Sequence, residues 1–282
     1  MNTTINKVTC LIILTLTFYS CSTNKMSLNI PNDQSKQEII IAVKGTKGKG
    51  LVGTKRNLRF DKYYKGKLKE GWTISSDIVD KSPFPFFSKE SLKRNLYENL
   101  GVDIDDITSK RSDKFQFTIA DSLNTWLAIC SQKNESKSTN YNILNRVDFS
   151  KGKSAKSDFN VNFFTVSDSL QPQWKLELKF DVEIPDGFIQ NFLKEGMAID
   201  NGYISNDTDT IIIKPLFLRG KEIEKNQYAA MIKIVGGYEF IYNDIRIGRV
   251  DLYKTSITLS TFNNSFNSIL TVASTAILLR NR

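Results

Sequence analysis

The sequence predicts a mainly β fold, an antiparallel barrel or a two-sheet sandwich, packed around a buried C-terminal helix. Three observations predict it. Residues 173–184 alternate Trp174, Leu176, Leu178, Phe180, Val182 and Ile184 with Lys175, Glu177, Lys179, Asp181 and Glu183. A period of two packs one face and leaves the other in water. The chain also carries 18 Phe and 10 Tyr in 282 residues, side chains that suit a pleated surface. Finally, residues 265–280 are apolar on almost every side, through Phe266, Ile269, Leu270, Val272, Ala273, Ala276, Ile277, Leu278 and Leu279. A helix without a polar face is a buried one, and this one is too short to span a bilayer. A strand layer wrapped around it is the geometry that accommodates it.

The N-terminus predicts an address. Residues 1–20 carry a single charge, Lys7, and an apolar run from Val8 to Tyr19 broken only by Thr9, Thr15 and Thr17. That layout marks a secretory signal peptide. Phe18-Tyr19-Ser20-Cys21 resembles the lipobox of bacterial lipoproteins, with Phe18 where the family prefers Leu. The resemblance implies cleavage before Cys21 and acylation of its thiol, with three acyl chains on Cys21 fixing the protein to a membrane. Ser22, with no acidic run after the Cys, resembles sorting to an outer membrane, facing the periplasm of a cell envelope. Residues 21–37, polar with one Pro, read as a flexible tether. Residues 38–282 read as a single domain.

Within that domain Glu38–Val43 reads as the first strand. Gly45, Gly48, Gly50 and Gly53 punctuate a lysine-rich loop, and Leu58–Ile74 reads as two strands turned at Lys65-Gly66. Ser88–Gly101 reads as a helix, with Ser88 as N-cap, Gly101 after its end, and Leu92, Leu96 and Leu100 in one stripe. Strands follow at Phe115–Ala120 and Thr125–Cys130. The polar stretches Gln132–Tyr141 and Ser150–Asp158 read as loops. Asp186–Gly196 reads as a second short helix. Further strands are expected at Thr210–Leu218, Ala229–Val235, Tyr238–Tyr242, Ile245–Val250 and Thr255–Ser260. Tyr242-Asn243-Asp244-Ile245 reads as a tight hairpin turn.

The ending Tyr238–Val250, then Thr255–Ser260, then Ser268–Arg280 resembles the tubby C-terminal-like superfamily, which includes phospholipid scramblases and LURP-one-related proteins. Ile247-Gly248-Arg249-Val250 fits the second strand of the hairpin that precedes that family's helix. The likeness covers about fifty residues. It implies a closed antiparallel barrel around a hydrophobic C-terminal helix, and a non-catalytic module that in some members binds anionic lipid. No binding residue carries over, and the helices read at Ser88–Gly101 and Asp186–Gly196 are additions to the pattern.

Composition excludes several chemistries. There is no histidine, which removes Ser-His-Asp and Cys-His catalysis in their usual forms, and most zinc, copper and non-haem iron sites. Of three cysteines, Cys10 leaves with the signal and Cys21 is the lipidation site. Cys130 then stands alone in strand pattern and reads as a small buried hydrophobe. No cofactor is expected.

Charge is uneven. Residues 36–70 hold eleven Lys/Arg against three Asp/Glu, a net of +8, in a chain whose total is +9. A basic flank of this kind suits anionic lipid or glycan; nucleic acid is not expected outside the cell, and a solvated lysine face is the plainer alternative. Gly48-Lys49-Gly50-Leu51-Val52-Gly53 spells G-x-G-x-x-G but lacks the following helix that a dinucleotide site needs. Its backbone N–H groups, with Lys47, Lys49, Lys55 and Arg56, are the candidate anion-binding residues. Asp103, Asp105 and Asp106 cluster without the spacing of a calcium loop. Trp72, Trp126 and Trp174 read as core packing. The expected function is a membrane-anchored envelope lipoprotein that binds or builds and does not catalyse; a carboxylate-dependent hydrolase acting on glycan or peptide is the alternative.

Overall fold

The computed structural model describes residues 27–28, 38–48, 50–61, 64–80, 102–120, 124–143, 147–166, 172–183, 201–219, 235–261 and 264–280. Thirteen strands occur among them: β1 (Ser27–Leu28), β2 (Glu38–Lys44), β3 (Lys55–Phe60), β4 (Tyr64–Asp80), β5 (Val102–Ala120), β6 (Thr125–Ile143), β7 (Val147–Thr165), β8 (Trp174–Glu183), β9 (Asn201–Ser205), β10 (Thr210–Arg219), β11 (Val235–Tyr242), β12 (Ile245–Asp251) and β13 (Ser256–Ser260). A 3-10 turn, Asn264–Phe266, leads into helix α1, Asn267–Arg280.

The strands close on themselves. The ring runs β10-β11-β12-β13-β2-β3-β4-β5-β6-β7-β8-β9, and β9 pairs back to β10 through Thr210↔Ser205 to Ile213↔Gly202. Every pairing is antiparallel, so the architecture is a closed barrel of twelve strands and not a two-sheet sandwich. Closure leaves no edge within the ring. The turn expected at Asn243-Asp244 is present, with both residues at positive φ (48° and 61°) between β11 and β12, as a two-residue type I′ connection requires.

Helix α1 fills the barrel. Every residue from Ile269 to Leu279 is buried. Around it stand the inward residues of the ring, among them Ile41, Leu58, Phe60, Leu68, Phe117, Phe163, Leu176, Ile204, Phe240 and Ile257. Three buried hydroxyls ride on the helix. Thr271 and Thr275 donate to the carbonyls of Asn267 and Thr271 at 2.8 and 2.7 Å, so these two are satisfied within the helix itself, whereas the Ser274 hydroxyl has no hydrogen-bond partner among the described residues. At the start of the helix Phe266 meets Trp174 and Tyr242, with ring centroids 6.0 and 4.8 Å apart. At its end the Arg280 guanidinium lies over the Phe159 ring at 5.8 Å and donates to Ser157 Oγ at 3.1 Å.

Four strands outrun the rest. β4 has 17 residues and β5, β6 and β7 have 19 each. β3 pairs with β4 only as far as Lys55↔Lys69, whereas β4 and β5 remain paired to Asp80↔Asp106. The sheet β4–β7 therefore continues beyond the barrel rim as a wing. A β-bulge between Glu70 and Thr73 marks the start of the wing on β4. Gly71 sits in that bulge, where a Cβ would run into the Lys114 carbonyl.

Several expectations change. Gln132–Tyr141 and Ser150–Asp158 are not loops but strand, continuous with β6 and β7. Lys65-Gly66 are not a turn but lie inside β4. Asp103, Asp105 and Asp106 are strand residues of β5. Trp72 is not core: it is 68% exposed. Ser27–Leu28, within the expected tether, pairs with Arg219 and Leu218 of β10. The helices read at Ser88–Gly101 and Asp186–Gly196, the signal peptide, Cys21, and all of Ala229–Val235 except Val235 lie outside the described residues.

Candidate functional site

The glycine-lysine loop between β2 and β3 folds onto Glu70. Gly45, Gly48 and Gly53 take positive φ of 89°, 79° and 80°, values that glycine reaches without steric cost. Gly53 N–H donates to the Glu70 carbonyl, and Glu70 N–H to the Thr54 carbonyl, both at 3.0 Å. The Glu70 carboxylate accepts from Gly50 N–H at 3.3 Å and from Arg56 Nη2 at 2.6 Å. Arg56 Nη1 donates to the Lys47 carbonyl at 2.8 Å. Of the loop's backbone donors, Gly50 N–H thus already faces an anion, the buried carboxylate of Glu70, and Gly53 N–H is taken by the carbonyl of the same residue. Arg56 serves as its counter-charge, which a carboxylate with a side chain only 4% exposed requires. Lys47 and Lys55 project into solvent; Lys49 lies outside the described residues.

Below that loop the outer wall is strongly basic. Strand period two sends Lys55 and Arg59 of β3 and Lys65, Lys67 and Lys69 of β4 outward, while Leu58, Phe60 and Leu68 point in. Register then sets like charges opposite one another: Lys55↔Lys69, Arg59↔Lys65, and Lys44 of β2 against Arg59. Directly opposed like charges destabilise a sheet. None of these six cations makes an ion pair among the described residues. By contrast Arg249 and Glu38, on β12 and β2, form a two-bond pair at 3.0 and 2.9 Å. A shallow groove of about 480 Å³ lies among Asn57, Arg59, Lys65, Lys67, Thr118 and Ala120. It can hold an anionic group against three cations without desolvating any of them fully.

The inner face of the wing is polar. Asp113 accepts from Thr73 Oγ at 2.6 Å and pairs with Arg111 at 2.8 Å. Asn134 accepts from Gln132 at 3.1 Å and from Ser157 at 2.7 Å. These groups satisfy one another. On the opposite face Asp106 takes Thr139 Oγ and Lys153 Nζ, both at 2.7 Å. Asp105, its neighbour in a strand, points the other way. Among the described residues no group of three or more His, Cys, Asp or Glu is placed to hold a metal.

Cys130 is buried at 1% exposure on the inner face of β6. Trp126 is buried, and Trp174 packs partly buried against the core. Two tyrosine–carboxylate pairs on the wall shift titration. A hydrogen bond from Tyr203 holds Glu177 below the usual carboxylate range, and the same bond raises Tyr203. Tyr242 Oη donates to Asp209 Oδ1 at 2.7 Å, which lowers Asp209 and raises Tyr242.

Sequence reasoning found the basic segment but missed that strand register concentrates it on one wall. The signal was available in hindsight: Lys65, Lys67 and Lys69 alternate with Gly66 and Leu68. No protein-family model, curated protein or solved structure matches this chain.

Proposed function

We propose that this chain is an exported, lipid-anchored barrel whose basic wall docks on an anionic surface of the cell envelope, lipid or glycan. The role is binding or structural. The observation that carries the reading is the row of opposed cations on β2, β3 and β4. A wall built only for stability would give these bases acidic partners, as Arg249 has in Glu38 across the intervening β13. Keeping like charges face to face costs sheet stability and returns attraction to a negative surface of about 1 kcal/mol for each Lys or Arg near it. The N-terminal pattern ending in Cys21 supplies the address. A closed barrel around a C-terminal helix is also what the tubby-like resemblance implies, and it supports a non-catalytic module.

Two experiments test the reading. Metabolic labelling with an alkyne fatty acid should mark the wild-type chain and not Cys21→Ala, which should leave the membrane fraction; equal labelling removes the anchor. Vesicle sedimentation should show the chain lacking acyl groups binding anionic phospholipid at low salt. Lys65→Glu/Lys67→Glu should abolish that binding, and added salt should weaken it. Salt-independent binding, or none to any anionic lipid or glycan, removes the docking role.

A further inference from the structure

Strand directions place β1 at one particular end of the barrel. β10 ends there at Arg219, β4 ends there at Asp80, and the loop between β2 and β3 turns there. Leu28 of β1 is buried and lies over Gly236 and Gly237, where a Cβ would meet its methyl groups. The chain is thus clamped to this rim seven residues after Cys21, a span of at most about 25 Å when fully extended. The opposite rim carries the short turns, Asn243-Asp244 among them.

The largest group of exposed apolar side chains lies at the same end. Leu51 (81% exposed), Val52, Trp72 (68%), Ile74 (66%), Ile78, Val79 and Tyr253 are there, against Val166 and Ile245 at the other rim and Ile40 (62%), Ile129, Tyr203 and Ile212 spread along the wall, among the described residues. Lysines flank them: Lys47 and Lys55 beside Leu51 and Val52, Lys69 before Trp72, and Lys254 after Tyr253, all exposed. Exposed Trp, Tyr and Leu ringed by lysines is the composition of a surface that sits in a lipid headgroup layer. Reach agrees as well. From Trp72 to Asp80 the wing extends about 26 Å at strand rise, close to the span available to the tether across the barrel.

Resting on the lipid-anchor reading, we propose that the acylated barrel stands end-on to the bilayer, on the rim that carries Leu28, which turns the β2–β4 wall away from the lipid and leaves it open to anionic glycan. The far end of β4, with Ile78, enters the lipid interface there, while Leu51, Val52 and Trp72 stay at the base of the wing, on the bilayer side of the barrel. The occupant of this patch is the bilayer that already holds Cys21.

The test compares the two rims. Nitroxide labels are placed at Ile78→Cys and, separately, at Ile245→Cys in the full chain purified from membranes and reconstituted into vesicles containing anionic phospholipid. Buried Cys130 does not compete for label. Mass spectrometry of the N-terminal peptide from the same samples reports acylation of Cys21. The expected result is a several-fold rise in collision with oxygen relative to a water-soluble nickel chelate at position 78, and no rise at 245. Equal ratios at the two positions with Cys21 acylated overturn the orientation alone. An unmodified Cys21 overturns the anchor and the orientation with it. A label at 78 shielded from both reagents indicates a protein partner there and overturns the lipid contact.

Discussion

The lower barrel and the wing are built from the same strands, yet they obey different rules. Inside the barrel, β5 presents Phe115, Phe117 and Ile119; in the wing its inward positions are Asp113, Arg111 and Ser109. β6 changes from Trp126, Ala128 and Cys130 to Gln132, Asn134 and Ser136, and β7 from Phe163, Val161 and Phe159 to Ser157 and Ala155. All three strands switch at one level, where Phe115 pairs with Cys130 and Asp113 pairs with Gln132. That is also where α1 stops, with Arg280 over Phe159 and bonded to Ser157. The helix therefore sets how far the apolar lining extends. Beyond its last turn the inner face is mostly polar, with Phe180 of β8 beside Ser157 and Ala155, and the strands persist largely through backbone pairing and polar side-chain bonds.

The largest test of this division is in the helix. Ala276 is wholly buried, so Ala276→Asp places an unpaired charge at the centre of the core. The expected outcome is loss of the cooperative fold, read as absence of a near-ultraviolet circular dichroism signal and of a urea transition. A folded, stable variant would mean that α1 is not what the barrel closes upon.

A second test compares two positions on one strand. Phe117→Ala on the inner face of β5 should cost about 3–5 kcal/mol, read as a lower urea midpoint. Ser109→Ala, eight residues away on the same strand, should stay within about 0.5 kcal/mol. Equal costs would show that the wing and the barrel share one packing unit.

The smallest effect lies on the wall, at Tyr242 and Asp209. Tyr242 is raised above its ordinary value near 10. Its contribution is fully present below that pH and is lost as pH rises through the folded-state value. Asp209 is lowered, so its contribution holds above the ordinary carboxylate range and is lost as pH falls through the depressed value. The hydrogen bond between the β9–β10 turn and β11 should therefore survive between roughly pH 4 and 10 and loosen outside that window. Ring-carbon NMR titration of Tyr242 should give a midpoint above 10 in the wild type. In Asp209→Asn the midpoint should return toward the ordinary value; no change there would mean that the two groups do not interact in solution.

Legibility of the fold followed burial. Trp174–Glu183 was readable because one face meets the core and the other meets water, and β10 was readable for the same reason, whereas β13 is buried on both faces and was readable as a short run bounded by turn residues. Ser131–Ser138 was not, because both of its faces are polar in the wing, and a strand polar on both faces carries the composition of a loop. Trp72 misled in the opposite direction, since an aromatic residue in strand pattern reads as core. The bulge between Glu70 and Thr73 and the early end of β3 leave it outside. The candidate anion site was legible as a basic, glycine-rich segment. That Glu70 would occupy the loop's donors was not, because Glu70 is fourteen residues from Arg56 and twenty from Gly50.

The sequence by itself determined that strands dominate, that a helix over Ile269–Leu279 is buried, and that positive charge gathers before Glu70. These are local properties, set by side-chain period and composition. Tertiary structure decided that the ring closes through β9 and β10, that the cations share one wall, and that Leu28 and the exposed tips of β4 lie at the same end. Those outcomes depend on register and strand order, which arise when residues far apart in the chain pair, and no window of neighbouring residues contains that information.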